Sequence, residues 1–144
     1  MLRYFIFIIC VILHFRFLPS IAAGPLVGVE VLDAMSPAME KALDRGDRFG
    51  RDLAGLGDVD GDGVLDLVAG TRSDDDGAED AGAAYVLFLN SDGTIKKQQK
   101  LSALEGGCGN EFLEGVESTF LGYGVAGIGD VNGDGVPDLA MTQA

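Results

Sequence analysis

The chemistry of this chain concentrates in two short stretches that set oxygen-bearing side chains at fixed intervals. Residues 57–70, "GDVDGDGVLDLVAG", hold Asp58, Asp60, Asp62 and Asp66, and residues 129–142, "GDVNGDGVPDLAMT", hold Asp130, Asn132, Asp134 and Asp138. In the spacing D-x-D-x-D-G-x-x-D, alternate side chains point into one hollow while the chain turns around it. This is an all-oxygen ligand set, which suits a hard divalent cation. Calcium fits better than magnesium, which keeps its waters and demands strict octahedral geometry. The spacing predicts side-chain ligation by Asp58, Asp60, Asp62 and Asp66 in the first loop, and by Asp130, Asn132, Asp134 and Asp138 in the second. Position seven, Val64 or Val136, supplies a backbone carbonyl, and Gly63 or Gly135 just before it permits the sharp turn.

Other chemistries that begin with the same triplet are excluded by the residues downstream of it. An EF-hand needs a bidentate acid at position twelve, where this chain has Ala69 and Met141. The acid at position nine instead puts the last ligand at the entrance to the next strand. The single histidine, His14, lies in the extreme N-terminal segment. Past that segment no Ser-His-Asp or Cys-His mechanism and no histidine zinc site can be assembled. Carboxylates committed to a cation make poor general acids, because the ion favours their charged form. The absence of Trp also weakens a sugar-stacking role, and the expectation is a chain with no catalytic residues.

Residues 50–70 and 122–142 align without a gap at an offset of 72, with twelve of 21 positions identical. One structural unit is therefore made twice. Within the first copy, a short strand around Leu53 to Leu56 leads into the acidic loop, and "VLDLVAG" reads as the strand that leaves it. "AAYVLFLN" reads as a strand buried on both faces, "SDG" as a tight turn, and "TIKKQQKLS" as an exposed partner strand. Four antiparallel strands per unit, graded from buried to exposed, suggest blades of an all-β propeller.

Composition supplies the setting. The segment "MLRYFIFIICVILHFRFLPSIAA" has a basic start, an apolar stretch too short to span a bilayer, and small residues at its end, the layout of a secretory signal peptide. Cleavage after Ala22 or Ala23 leaves 23 acidic residues against eight basic ones, a balance of 8 − 23 = −15. Such a chain repels nucleic acid and anionic surfaces and attracts cations. Only Cys108 then remains, so no internal disulfide forms, and a bound metal is a candidate staple. Cys108 reads as a small loop residue. Arg45-Gly46-Asp47 reads as a polar turn rather than an adhesive tripeptide, and Asp74 to Asp76 as a solvated loop.

These features resemble the FG-GAP repeat of integrin alpha-chain N-terminal propellers. The residues that carry the resemblance are Phe49-Gly50, "LAGLGDVDGDGVLDLVAG" and the strand with Tyr85 in the first copy, then Gly122 and "VAGIGDVNGDGVPDLA" in the second. Gly70-Thr71-Arg72 and Thr142-Gln143-Ala144 stand where the Gly-Ala-Pro element belongs, and Leu121 replaces Phe at the start of copy two. The resemblance covers residues 47–144. It implies a propeller of about seven blades, calcium held between strands of some blades, and cell adhesion in integrins.

The expected organisation is a signal peptide at 1–23, an N-terminal segment with room for an edge strand at 24–46, a first blade at 47–118 and a truncated second blade at 119–144. Fewer than two blades cannot close a ring, so the chain is expected to be a fragment of a longer propeller, or to need other chains. The expected function is a secreted or cell-surface calcium-binding interaction scaffold with a protein or cell-surface partner and no transmembrane span in the mature chain. The alternatives are a non-catalytic propeller segment of a larger secreted enzyme, such as the phospholipase that cleaves glycosylphosphatidylinositol anchors, and, more distantly, a dockerin-like docking module.

Overall fold

The computed structural model describes residues 42–106 and 118–144, Met39, and the backbone of two short pairs at 10–11 and 30–31. Every element among the described residues is a strand. Strand β1 (Cys10–Val11) pairs antiparallel with β2 (Glu30–Val31). Apart from these pairs, the segment assigned to the signal peptide and most of residues 24–46 lie outside the described residues, as does Cys108.

Four strands in chain order build one antiparallel sheet: β3 (Phe49–Gly57), β4 (Asp66–Thr71), β5 (Ala83–Leu89) and β6 (Ile95–Leu101). Each forms where the sequence expectation put it. The central strand β5 explains the arrangement, since all seven of its residues are buried and successive side chains of a strand face opposite ways. Tyr85, Leu87 and Leu89 join Ala69 and Met39 in one apolar cluster, with Phe49 edge-on to Tyr85 at 6.0 Å between ring centroids. Ala84, Val86 and Phe88 face the other way and join Leu56, Val68 and Val125. A strand apolar on both faces must be covered twice, and this one is.

On the outer side, β6 presents Lys96, Lys97 and Gln99 as its exposed residues, the composition that discourages pairing at a sheet edge. Lys97 Nζ lies 4.0 Å from the centroid of the Phe88 ring, beyond the edge of the core. The β5–β6 turn closes through Asn90 N donating to Thr94 O at 2.8 Å and Thr94 N donating to Asp92 Oδ1 at 3.0 Å.

A second hairpin, β7 (Gly124–Gly129) with β8 (Asp138–Thr142), repeats the β3–β4 hairpin at the offset of 72. The duplication extends to its irregularities. Gly55 pairs with Leu67 and Gly57 with Asp66 across a register shift, and Gly127 pairs with Leu139 and Gly129 with Asp138 across the same shift. A bulge of this kind bends the strand and re-aims the residues beside it. Here it stands at the same position in each copy, immediately before the acidic loop.

The two hairpins meet face to face. Val125 belongs to the β5 cluster, with Leu139 and Met141 packed against it, and Asp52 Oδ2 accepts a hydrogen bond from Val125 N at 3.0 Å. Arg51 and Tyr123, equivalent positions of the two copies, also touch, with Nη2 donating to the phenol oxygen at 3.1 Å. The backbones come so close that a Cβ on Gly122 would collide with the Ala83 carbonyl, and one on Gly127 with the Gly55 carbonyl. Beyond the β1–β2 pair, the described residues thus form one four-stranded sheet and a hairpin that repeats its first two strands.

The run Asp74 to Asp76 departs from its expected role as a solvated loop. Asp74 is 3% exposed, and Lys100 Nζ reaches from β6 to Asp74 Oδ1 at 2.8 Å and Asp76 Oδ2 at 3.3 Å. Ser102 Oγ donates to Asp76 Oδ2, Asp80 N donates to Asp75 Oδ1 at 2.8 Å, and Tyr85 donates its phenolic hydrogen to the Ala42 carbonyl, with Asp74 Oδ2 3.4 Å away. Burial alone would lower the Lys100 pKa, but the hydrogen bond and charge of Asp74 outweigh it and raise the value. The physical reason for the departure is pairing: a buried carboxylate is tolerated when a charged donor meets it.

Candidate metal centre

The first acidic loop hangs between β3 and β4, pinned at both ends by carboxylates. Asp58 folds the chain around itself, with Oδ1 accepting from Gly61 N at 2.8 Å and Asp62 N at 3.0 Å, and Oδ2 accepting from Gly63 N at 2.9 Å. Gly63 has φ of 86°, a left-handed conformation that suits glycine, as the sequence required. At the far end Asp66 is buried. Its Oδ2 accepts from Val59 N at 2.9 Å, and its Oδ1 accepts from Leu89 N at 3.1 Å, tying the loop to the central strand.

Oxygens of Asp58, Asp60 and Asp66 come together within 4.8 Å of one another. Asp60 Oδ1 is buried and has no hydrogen-bond partner. A buried, unpartnered carboxylate oxygen is costly unless a cation meets it, so the donor set fits a hard divalent cation in charge and ligand type. Asp62 is placed differently from these three. Its Oδ1 accepts from Val64 N at 2.9 Å and its Oδ2 meets Lys96 Nζ at 2.6 Å. Lys96 also contacts Asp60 Oδ2 at 3.0 Å. The bond from Lys96 holds the Asp62 carboxyl below the usual carboxylate range, and Asp62, with Asp60, pushes the Lys96 pKa up. Val64 itself packs beside the Tyr85 cluster.

The second loop copies the backbone scheme. Asp130 Oδ1 accepts from Gly133 N at 2.7 Å and Asp134 N at 3.0 Å, and its Oδ2 accepts from Gly135 N at 2.8 Å. Asp138 Oδ2 accepts from Val131 N at 2.8 Å, as Asp66 does from Val59. Gly135 has φ of 90°. Asn132 Oδ1 accepts from Asp134 N at 2.8 Å and its Nδ2 donates to Asp134 Oδ2 at 3.0 Å, while Val136 N donates to Asp134 Oδ1 at 2.8 Å. Among the described residues, only Asp58, Asp60 and Asp66 gather as a carboxylate trio, and Asp130, Asp134 and Asp138 do not. Val136 is exposed.

Spacing alone did not point to Lys96 or to the bond from Leu89, because both partners come from strands more than twenty residues downstream. The one available signal was the run of lysines on an otherwise polar edge strand. Arg45-Gly46-Asp47, by contrast, is turn structure. Asp47 is 6% exposed, its Oδ2 accepts from Asp44 N at 2.7 Å, and its backbone carbonyl accepts from Ser73 N at 3.1 Å. Its carboxylate is not presented to a partner. No helix among the described residues is long and apolar enough to cross a membrane.

Comparison with known proteins places this geometry. A family model described as the FG-GAP repeat matches residues 49–87, the stretch from the start of β3 through most of β5. Integrin alpha pat-2 of Caenorhabditis briggsae is 36% identical over 99 residues, covering 68% of this chain and 7% of its own. Integrin alpha-6 of Gallus gallus is 31% identical over 93 residues, covering 65% and 8%. Integrin alpha-PS2 of Drosophila melanogaster is 34% identical over 96 residues, covering 65% and 6%. The chain thus spans less than a tenth of the length of these relatives. With the four-stranded blade, the repeated loop and these matches together, the chain carries an FG-GAP repeat of the integrin alpha-like kind.

Proposed function

We propose that this chain is a secreted or cell-surface calcium-binding module whose blades serve as a scaffold for adhesion-type interaction with a protein or cell-surface partner. Calcium is structural in this reading, held by Asp58, Asp60, Asp62, Asp66 and the Val64 carbonyl in the first loop. Asp130, Asn132, Asp134, Asp138 and the Val136 carbonyl hold it in the second. The observations that carry the proposal are the gathering of the Asp58, Asp60 and Asp66 carboxylates and the buried Asp60 oxygen that has no protein partner. The ion neutralises carboxylates that otherwise repel one another, and it fixes a turn against the strand beyond it. The integrin alpha relatives support the adhesion-type role, and the non-catalytic reading rests on ligand carboxylates that a cation keeps charged.

Calcium titration followed by thermal melting tests the proposal. Binding to the folded state alone stabilises by about 2.7 kcal/mol at a hundredfold excess over the dissociation constant of one site. The melting temperature is expected to rise with calcium and fall with chelator, and Asp62→Ala combined with Asp134→Ala is expected to abolish the response. A melting curve indifferent to both additions overturns it. Secretion is checked by expressing the chain with its N-terminus and sequencing the exported product, which is expected to begin at Ala23 or Gly24.

A further inference from the structure

The position-five carboxylate is held in the same way in both loops, but by different donors. In the first loop Asp62 Oδ1 accepts from Val64 N at 2.9 Å and Oδ2 accepts from Lys96 Nζ at 2.6 Å. In the second, Asp134 Oδ1 accepts from Val136 N at 2.8 Å and Oδ2 accepts from Asn132 Nδ2 at 3.0 Å. Asn132 occupies position three, where the first loop has Asp60, which has no hydrogen to donate. The missing donor arrives from outside the loop, on β6. Its ammonium takes Oδ2 of Asp60 at 3.0 Å as well, which leaves Asp60 Oδ1 buried and unpartnered on a carboxylate that gathers with those of Asp58 and Asp66.

We propose that Lys96 is a positioning residue of the first loop, clamping Asp60 and Asp62 by one oxygen each so that Asp60 Oδ1 is left for the cation; within the second loop the Asn132 amide holds the Oδ2 of Asp134 alone. The proposal rests on the calcium reading above. Groups that bond the far side of a ligand fix its orientation, and their loss costs about 10–100-fold in metal affinity. The opposite role, an ammonium that competes with the metal for the cage, gives the opposite sign. The geometry favours positioning, because Lys96 engages Oδ2 of both aspartates and leaves the buried Asp60 oxygen untouched.

The test measures calcium binding by isothermal titration to the full chain with the second loop silenced by Asp134→Ala. Lys96→Met is expected to weaken binding about 10–100-fold, and Lys96→Arg, which keeps charge and donors, to stay close to the parent. In a chain carrying Asp60→Asn, whose new amide can reach Asp62 as Asn132 reaches Asp134, the loss caused by Lys96→Met is expected to shrink markedly. A general destabilisation would persist in that background, so the double-mutant comparison separates positioning from mere support of the fold. Unchanged or tighter binding by Lys96→Met overturns the proposal while leaving the calcium reading intact. Failure of the parent chain to bind calcium overturns both, and circular dichroism of each variant confirms that the sheet is retained.

Discussion

Asp47 shows how burial sets the behaviour of single residues here. Burial raises its pKa, the Asp44 amide partly offsets this, and the nearby charge of Asp74 adds to the rise. A carboxyl whose folded pKa lies above its ordinary value favours the folded state when protonated. That contribution is complete below the ordinary aspartate pKa of about 3.9 and is lost as pH rises through the folded value. Asp47→Asn keeps an acceptor for the Asp44 amide and removes the buried charge. It is expected to melt above the parent at pH 7, with the advantage vanishing toward pH 3, and thermal melts across that range check it. In the loops, Asp60 offers a charged oxygen where Asn132 offers a neutral one. The first loop is therefore expected to bind calcium more tightly, and Asn132→Asp is expected to strengthen the second. Titration of the single-loop variants Asp62→Ala and Asp134→Ala gives the order directly.

At the scale of elements, the strands were legible because their composition and periodicity agree with their surroundings. Ala83–Leu89 reads as a central strand from its unbroken apolar run, and both of its faces are indeed covered. Leu87→Ala empties a site with no exposure, and it is expected to cost about 2–5 kcal/mol in denaturant unfolding. The acidic loops were legible as turns between paired strands because their acids lie within nine residues and repeat. What was not legible depended on pairings across the sheet. The lysine partners of Asp62 and Asp74 sit 34 and 26 residues away on β6, and nothing local says which way a lysine on an edge strand will lean. The solvated reading of Asp74 to Asp76 failed at Asp74 for that reason, since Lys100 pairs with it in a buried position while Asp75 stays exposed.

At the scale of the molecule, the contact between the blade and the second hairpin depends on the absence of side chains. Gly122 has φ of 76° and lies where a Cβ would strike the Ala83 carbonyl. Gly122→Ala therefore meets both a steric and a conformational obstacle, and it is expected to lower stability by more than about 1 kcal/mol, read as a shift in the denaturant midpoint. The internal repeat made the existence of a second blade legible. The closeness of the packing was not, because glycine in a sequence reads equally as turn, bulge or close approach. The bond from Leu89 N to Asp66 Oδ1 carries a further consequence. Through it the end of the loop that joins β3 to β4 is also fastened to β5, so straightening the loop past Asp66 also breaks a bond to the central strand. A cation at Asp66 would then act as a rivet under tension, and occupancy of the first loop would set the force at which the blade begins to tear.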